Sequence, residues 1–217
     1  MLTGDEEVGS PASRTLIESL AHNSSSVLAP EPADVHGALK TSRKGWGRFA
    51  LRVEGRSAHA GAEPLAGRSA IREIARQILR LEEMNDPQAG VSVTVGVVRG
   101  GIAPNVVPVE AEATVDLRVR TAAQAERFVA EIRGLLLVGD GVRLRVTGGM
   151  NRPPFPREAA AHLYDLARRL AQEMGVSVEE IESGGVRDGN FSAALGVPTL
   201  DGRGAVGSGA HASARGG

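Results

Sequence analysis

The chain has 217 residues, a net charge of −1 and no cysteine, with 41% hydrophobic and 24% charged residues. That length suits one or two domains. The near-zero charge offers no basic surface for nucleic acid, and no apolar run reaches the roughly 20 residues that a membrane helix needs. The absence of cysteine excludes disulfides and thiolate metal sites. A metal would therefore sit on histidine and carboxylate oxygen, which suits zinc, manganese or cobalt. Only 3% of the residues are aromatic, so Leu, Val, Ala and Ile must fill the core.

In chain order, a glycine-flanked acidic stretch, Gly4-Asp5-Glu6-Glu7-Val8-Gly9, comes first. The spacing predicts a short helix over 11–21, with Ser10 as N-cap and Pro11 at the first helical position. A short buried strand is expected over 26–29, ending at Pro30-Glu31-Pro32. Residues 33–45 read as a polar connector.

A different pattern begins near residue 44. Phe49, Leu51 and Val53 alternate with Arg48, Arg52 and Glu54, predicting a strand. Ile71, Ile74, Ala75, Ile78, Leu79 and Leu81 predict an amphipathic helix over 68–84. Alternation predicts strands over 91–98, through Val91, Val93, Val95 and Val97, and over 110–120. Thr121 reads as the cap of a helix over 122–137, and a last strand is expected over 142–146. This strand, helix, strand, strand, helix, strand order is the split ferredoxin-like arrangement. Pro153, Pro154 and Pro156 then mark a hinge before a helix over 157–174. A turn at Gly184-Gly185, a short helix near 191–195, a strand at 198–200 and a glycine-rich tail follow. The expected organisation is an inserted domain, residues 44 to 154, within a discontinuous α/β domain of residues 1 to 43 and 155 to 217.

Two neighbouring carboxylates on a tight loop point in different directions. One can ligate a metal while the other moves a proton to or from metal-bound water. Taken alone, Glu6 and Glu7 also read as a solvated acidic turn before a helix N-terminus, where negative charge is favoured. Glu31 follows an apolar strand, where α/β sheets place functional groups. His59 lies among small residues in Gly55-Arg56-Ser57-Ala58-His59-Ala60-Gly61. Asn105 sits in Ala103-Pro104-Asn105-Val106-Val107-Pro108, and Arg118 ends Asp116-Leu117-Arg118. Arg118 and Arg152 carry guanidiniums, a group that grips a carboxylate through two parallel bonds. Gly184 to Asn190 forms a glycine-rich loop in which Asp188 reads as a helix cap, and His211 lies near the end of the chain.

In this order the motifs resemble the zinc metallopeptidase and deacylase family of glutamate carboxypeptidases, aminoacylases and acetylornithine or succinyl-diaminopimelate deacylases. The resemblance implies an α/β/α metal-binding catalytic domain carrying an inserted α+β ferredoxin-like lid and dimerisation domain. It implies Glu6 as general base and Glu7, Glu31 and His211 as metal ligands. His59 would bind the oxyanion, and Asn105, Arg118, Arg152 and Gly185 would bind substrate. Two zinc ions would serve the intact enzyme. The substrate would be a small peptide or an N-acyl amino acid, and the chain would be a homodimer through residues 44 to 154. Glu-Pro at 31–32 and Asp-Leu-Arg at 116–118 favour the carboxypeptidase branch over the deacylases.

Two departures stand against the family pattern. Arg187 stands where the family usually has Ser or Thr, and no His-x-Asp motif precedes the acidic loop. The expectation is that the chain covers the later part of such an enzyme, without the closing C-terminal helix. An alternative expectation is a catalytically inert piece acting only through its dimerisation domain. The sequence names no compartment, and the cytoplasm stands as the default.

Overall fold

The computed structural model describes residues 1–205, so His211 lies outside the described residues. In chain order the elements are a 3₁₀ turn at Glu6–Val8, α1 (Arg14–His22), β1 (Val27–Leu28), β2 (Leu39–Arg43) and β3 (Gly45–Glu54). They continue with α2 (Ala70–Glu82), β4 (Ser92–Gly100), β5 (Glu110–Val119), α3 (Ala122–Arg133) and β6 (Arg143–Arg152). Last come α4 (Ala161–Glu173), β7 (Glu180–Ser183), α5 (Gly189–Ala194) and β8 (Thr199–Leu200). The chain is α/β and divides into two compact units, residues 46–151 and residues 1–45 with 152–217. None of the described helices is long and apolar enough to cross a membrane.

The inserted unit, residues 46–151, holds a four-stranded sheet in the order β4-β5-β3-β6, with β4 antiparallel to β5. Alternation places Phe49, Leu51 and Val53 of β3, and Val115, Leu117 and Val119 of β5, on one covered face, each fully buried. Ile74 and Leu81 of α2 and Phe128 and Ile132 of α3 complete that core. β3 and β6 approach so closely at Gly148 that a Cβ there would lie 2.1 Å from the Arg48 carbonyl oxygen. Its φ of +103° also lies where only glycine is at ease.

Four expectations for this unit are corrected. The buried stripe of α2 runs through Ala70, Glu73, Ile74, Gln77 and Leu81, while Ile71 and Leu79 are exposed. Glu73 and Gln77 are buried because they serve a chain segment. The Glu73 carboxylate accepts from the amides of Val138 (3.0 Å) and Gly139 (2.9 Å), and Gln77 donates to the Leu136 carbonyl (3.0 Å). Burial works against the Glu73 charge, but those donors and Gln77 hold its carboxyl below the usual range. That tether explains why α3 ends at Arg133 rather than near 137. In β4 the alternation of valines breaks: Val91 and Val93 are buried, but the pairing register shifts between Val95 and Val97 and leaves Val97 exposed. Finally, the last strand reaches residue 152, well past the predicted end at 146.

Thr121 caps α3 as expected, in a reciprocal capping box with Gln124. Thr121→Ala is expected to lower the stability of this unit by about 1 kcal/mol. Urea denaturation followed by fluorescence of Trp46, the single tryptophan, which lies in this unit, measures it.

The flanking unit, residues 1–45 and 152–205, has two parallel two-stranded sheets, β1 with β8 and β2 with β7. The expected polar connector over 33–45 contains β2, because Leu39–Arg43 finds a parallel partner in Glu180–Ser183, distant in sequence. Phe155, Ala160, Tyr164, Ala193 and Leu200 form its core. The predicted cap of the first helix is also corrected. Ser10 adopts a left-handed φ of 56° and is buried, with its hydroxyl donating to Asp188 (2.5 Å). Asp5 takes over the helix start, accepting from the amides of Ala12 (2.8 Å) and Ser13 (3.1 Å) and from the Ser13 hydroxyl (2.5 Å). Those bonds, the Ser13 hydroxyl foremost, hold the Asp5 carboxyl below its ordinary value.

Candidate functional site

The chemistry of the flanking unit gathers where the 3₁₀ turn, the loop after β1 and the Gly184–Asn190 loop meet. The turn presents Glu6, mostly buried, and Glu7, mostly exposed. Glu31 follows β1 in Pro30-Glu31-Pro32, where Gly204 closes on it and donates its amide to the Glu31 carbonyl (2.8 Å). These three carboxylates converge on one cation, Arg187. Its Nη1 lies 3.2 Å from Glu6 Oε2 and 3.8 Å from Glu7 Oε1, and its Nε lies 2.9 Å from Glu31 Oε2.

Arg187 is itself held in place. Its amide donates to Asn190 Oδ1 (3.0 Å), and its carbonyl accepts the Asn190 amide (3.0 Å). Asn190 is fully buried, and its Nδ2 donates to the carbonyls of Lys44 (3.0 Å) and Pro153 (2.8 Å).

Behind this cluster stands Arg152, with 2% of its side chain exposed. Its Nη2 donates to the Glu6 carbonyl (3.0 Å), Glu6 Oε1 (3.1 Å), Ser10 Oγ (2.9 Å) and Asp188 Oδ1 (3.0 Å). Arg152 thus faces protein oxygens and braces the turn that carries Glu6. Asp188, expected as a helix cap, makes no side-chain cap bond to α5 and instead accepts from Arg152, Ser10 and Thr3.

Burial pushes the Glu6 carboxyl above its ordinary value, against the pull of Arg187 and Arg152. The effect is physical: a carboxylate withdrawn from water loses hydration that nearby cations only partly replace. A carboxyl poised in this way suits proton transfer better than an ordinary surface glutamate.

The expected ligands Glu7 and Glu31 do not form a metal centre here. A divalent ion needs carboxylate oxygens turned to it at about 2.0–2.2 Å, and these are turned to a guanidinium. Among the described residues, no group of three or more His, Cys, Asp or Glu is arranged to hold a metal. As the side chains stand, the Glu7 and Glu31 carboxylates face Arg187, and the third expected ligand, His211, lies outside the described residues.

Gly185 belongs to the same loop, with its amide on Ser183 Oγ (3.2 Å) and its carbonyl accepting Arg43 Nη1 (3.0 Å). Beneath it lies an ion pair that the sequence reading missed, Arg43 Nε to Asp201 Oδ2 at 2.6 Å, with 3% and 0% of the side chains exposed. Arg43 closes a polar run and Asp201 follows an apolar strand, so only the second carried a signal.

In the inserted unit, the structure brings His59 and Asn105 onto adjoining loops. The Ala60 amide donates to the Asn105 carbonyl (2.9 Å), and the Val107 amide donates to the Ala58 carbonyl (2.9 Å). The exposed His59 ring accepts at Nδ1 from the amides of Gly61 (3.2 Å) and Ala62 (3.1 Å). With Nδ1 accepting, the neutral ring carries its proton on Nε2, a donor for developing negative charge. Arg118 stands in a separate cluster on β5. Its Nε and Nη2 grip Asp116 at 2.8 and 3.2 Å, and Trp46 Nε1 donates to the same carboxylate (2.7 Å).

Comparison with known proteins gives a consistent result. Residues 41–138 match the family model of the M20 peptidase dimerisation domain. Carboxypeptidase G2 from Pseudomonas sp. (strain RS-16) is 30% identical over 218 residues, covering 95% of this chain and 51% of that protein. A probable carboxypeptidase of Aspergillus terreus is 33% identical over 138 residues, covering 56% of this chain and 31% of that protein. The crystal structure of aminopeptidase PepT from Bacillus cereus superposes with a TM-score of 0.73 at 22% identity, over 91% of this chain and 53% of that one, a likeness of fold. The chain spans about half the length of carboxypeptidase G2. Residues 41–138 thus match a peptidase dimerisation domain, and the acidic loop, the βαββαβ unit and these matches together make the chain similar to the M20 peptidases.

Proposed function

We propose that this chain serves a hydrolase of amide or peptide bonds of the glutamate-carboxypeptidase type, acting on a small peptide or N-acyl amino acid. Glu6 carries the reading: a carboxyl raised by burial and braced by Arg152, in a chain whose relatives include carboxypeptidases. In this reading Glu6 moves the proton. His59 Nε2–H stabilises the oxyanion, and Asn105 and Arg118 meet the substrate. Arg118 already grips one carboxylate, that of Asp116, in the two-bond geometry a glutamate product would require. The family reading also brings zinc, two ions in the intact enzyme, with Glu7, Glu31 and His211 as ligands. Among the described residues, Glu7 and Glu31 face the Arg187 guanidinium.

The test is release of free glutamate from N-benzoylglutamate by the purified chain, with and without added divalent metal. Release that prefers an acidic C-terminal residue over a neutral one is expected. No release from any peptide or N-acyl amino acid would sink the proposal. It would favour a second reading, to which Arg187 among the glutamates points: an inert chain that acts through its dimerisation domain.

The inserted unit is proposed to pair two copies of the chain. Sedimentation equilibrium is expected to return twice the 22.5 kDa chain mass. A strict monomer at micromolar concentration would overturn the pairing.

A further inference from the structure

The disagreement between the metal expectation and the observed cluster has a cause within this chain. We infer that the Arg187 guanidinium is the resident cation of the Glu6, Glu7 and Glu31 carboxylates, and that it excludes a divalent ion from Glu7 and Glu31 while in place. The inference stands on this geometry and not on the hydrolase reading.

Three observations carry it. First, one guanidinium lies within 4 Å of all three carboxylates, closest to Glu31 at 2.9 Å. A planar, permanently charged group with several donors matches convergent carboxylates better than an ammonium would. Second, Arg187 is pre-positioned. Its backbone bonds Asn190 in both directions, and Asn190 is anchored to two further carbonyls. The loop backbone that carries Arg187 is therefore fixed, and only the side chain's own rotamers remain to be ordered. Third, Glu6 is already flanked by cations. Glu6, whose second oxygen faces Arg152, shares two guanidiniums, so a divalent ion would enter against two fixed positive charges.

The experiment is a titration of Mn²⁺ into the full chain and into Arg187→Ser, by calorimetry at low salt and neutral pH. The wild type is expected to show no site that depends on Glu31. Arg187→Ser is expected to bind Mn²⁺ at least tenfold more tightly than the wild type, and the gain should vanish in Arg187→Ser/Glu31→Gln. Equal binding by wild type and Arg187→Ser, or a gain that survives Glu31→Gln, would overturn the inference. A wild-type measurement stands whether or not the variants fold. Stoichiometric Mn²⁺ should leave the backbone amide signals of Glu7 and Glu31 sharp, and paramagnetic broadening of both would overturn the inference. Neither readout uses hydrolysis, so the outcome is separable from that of the glutamate-release assay.

Discussion

Asp201→Ala is expected to destabilise the flanking unit by about 3–5 kcal/mol, because removing one partner of a buried ion pair strands the other charge away from water. Arg43 and Asp201 meet at 2.6 Å with almost no exposure. Arg43 also donates to Ser183 Oγ (3.1 Å) and the Gly185 carbonyl (3.0 Å), so one guanidinium ties β2 to the loop after β7. Losing the carboxylate leaves that guanidinium charged and buried. Replacing both partners by apolar residues, Arg43→Met with Asp201→Leu, is expected to recover much of the loss, since desolvation of the pair largely cancels its attraction. Urea denaturation read through Tyr164, the single tyrosine, which packs in this unit's core, gives the measurement. A loss below about 1 kcal/mol would place the pair with ordinary surface ion pairs.

Glu6→Gln is expected to lower hydrolysis by about 10²–10⁴-fold, the usual worth of a positioned proton-transfer group, while leaving stability at neutral pH unchanged or higher. The sign follows from burial. The Glu6 carboxyl lies above its ordinary value in the folded chain, so folding favours its neutral form more than the unfolded chain does. Its contribution to stability is complete below the usual carboxylate range and is lost as pH rises through the raised value. Glutamine stays neutral throughout and keeps that contribution at pH 7, and its amide oxygen can still accept from Arg152. Rate and stability should therefore move apart. Undiminished hydrolysis by the glutamine variant would remove Glu6 from the reaction. A stability loss equal to that of Asp201→Ala would make its role structural.

These two residues differ in how they could be read in advance. Glu6 sits in a short acidic loop whose residue types already name a chemistry. Asp201 owes its importance to Arg43, which lies 158 positions away in the sequence. The same contrast runs through the fold. β3 and β5 were legible because local alternation sorts their side chains onto two faces. β2 was hidden because Leu39–Arg43 has little alternation of its own and becomes a strand by pairing with β7. Helix α3 was legible at its start, where Thr121 and Gln124 cap it locally. Its end was not, because Glu73 of α2 draws the following chain away.

By itself the sequence determined the βαββαβ order of the inserted unit, the resemblance to a peptidase family, and the residue types that carry charge and protons. Each of those is written in local periodicity or in short motifs. Only the tertiary structure decided what those groups face. It turned Arg152 inward onto Glu6, Ser10 and Asp188, gave Asp5 the helix start that Ser10 was expected to cap, and set Arg187 among three glutamates. A charge acquires its role from the charges and donors packed around it, and those come from segments that the order of the chain keeps far apart.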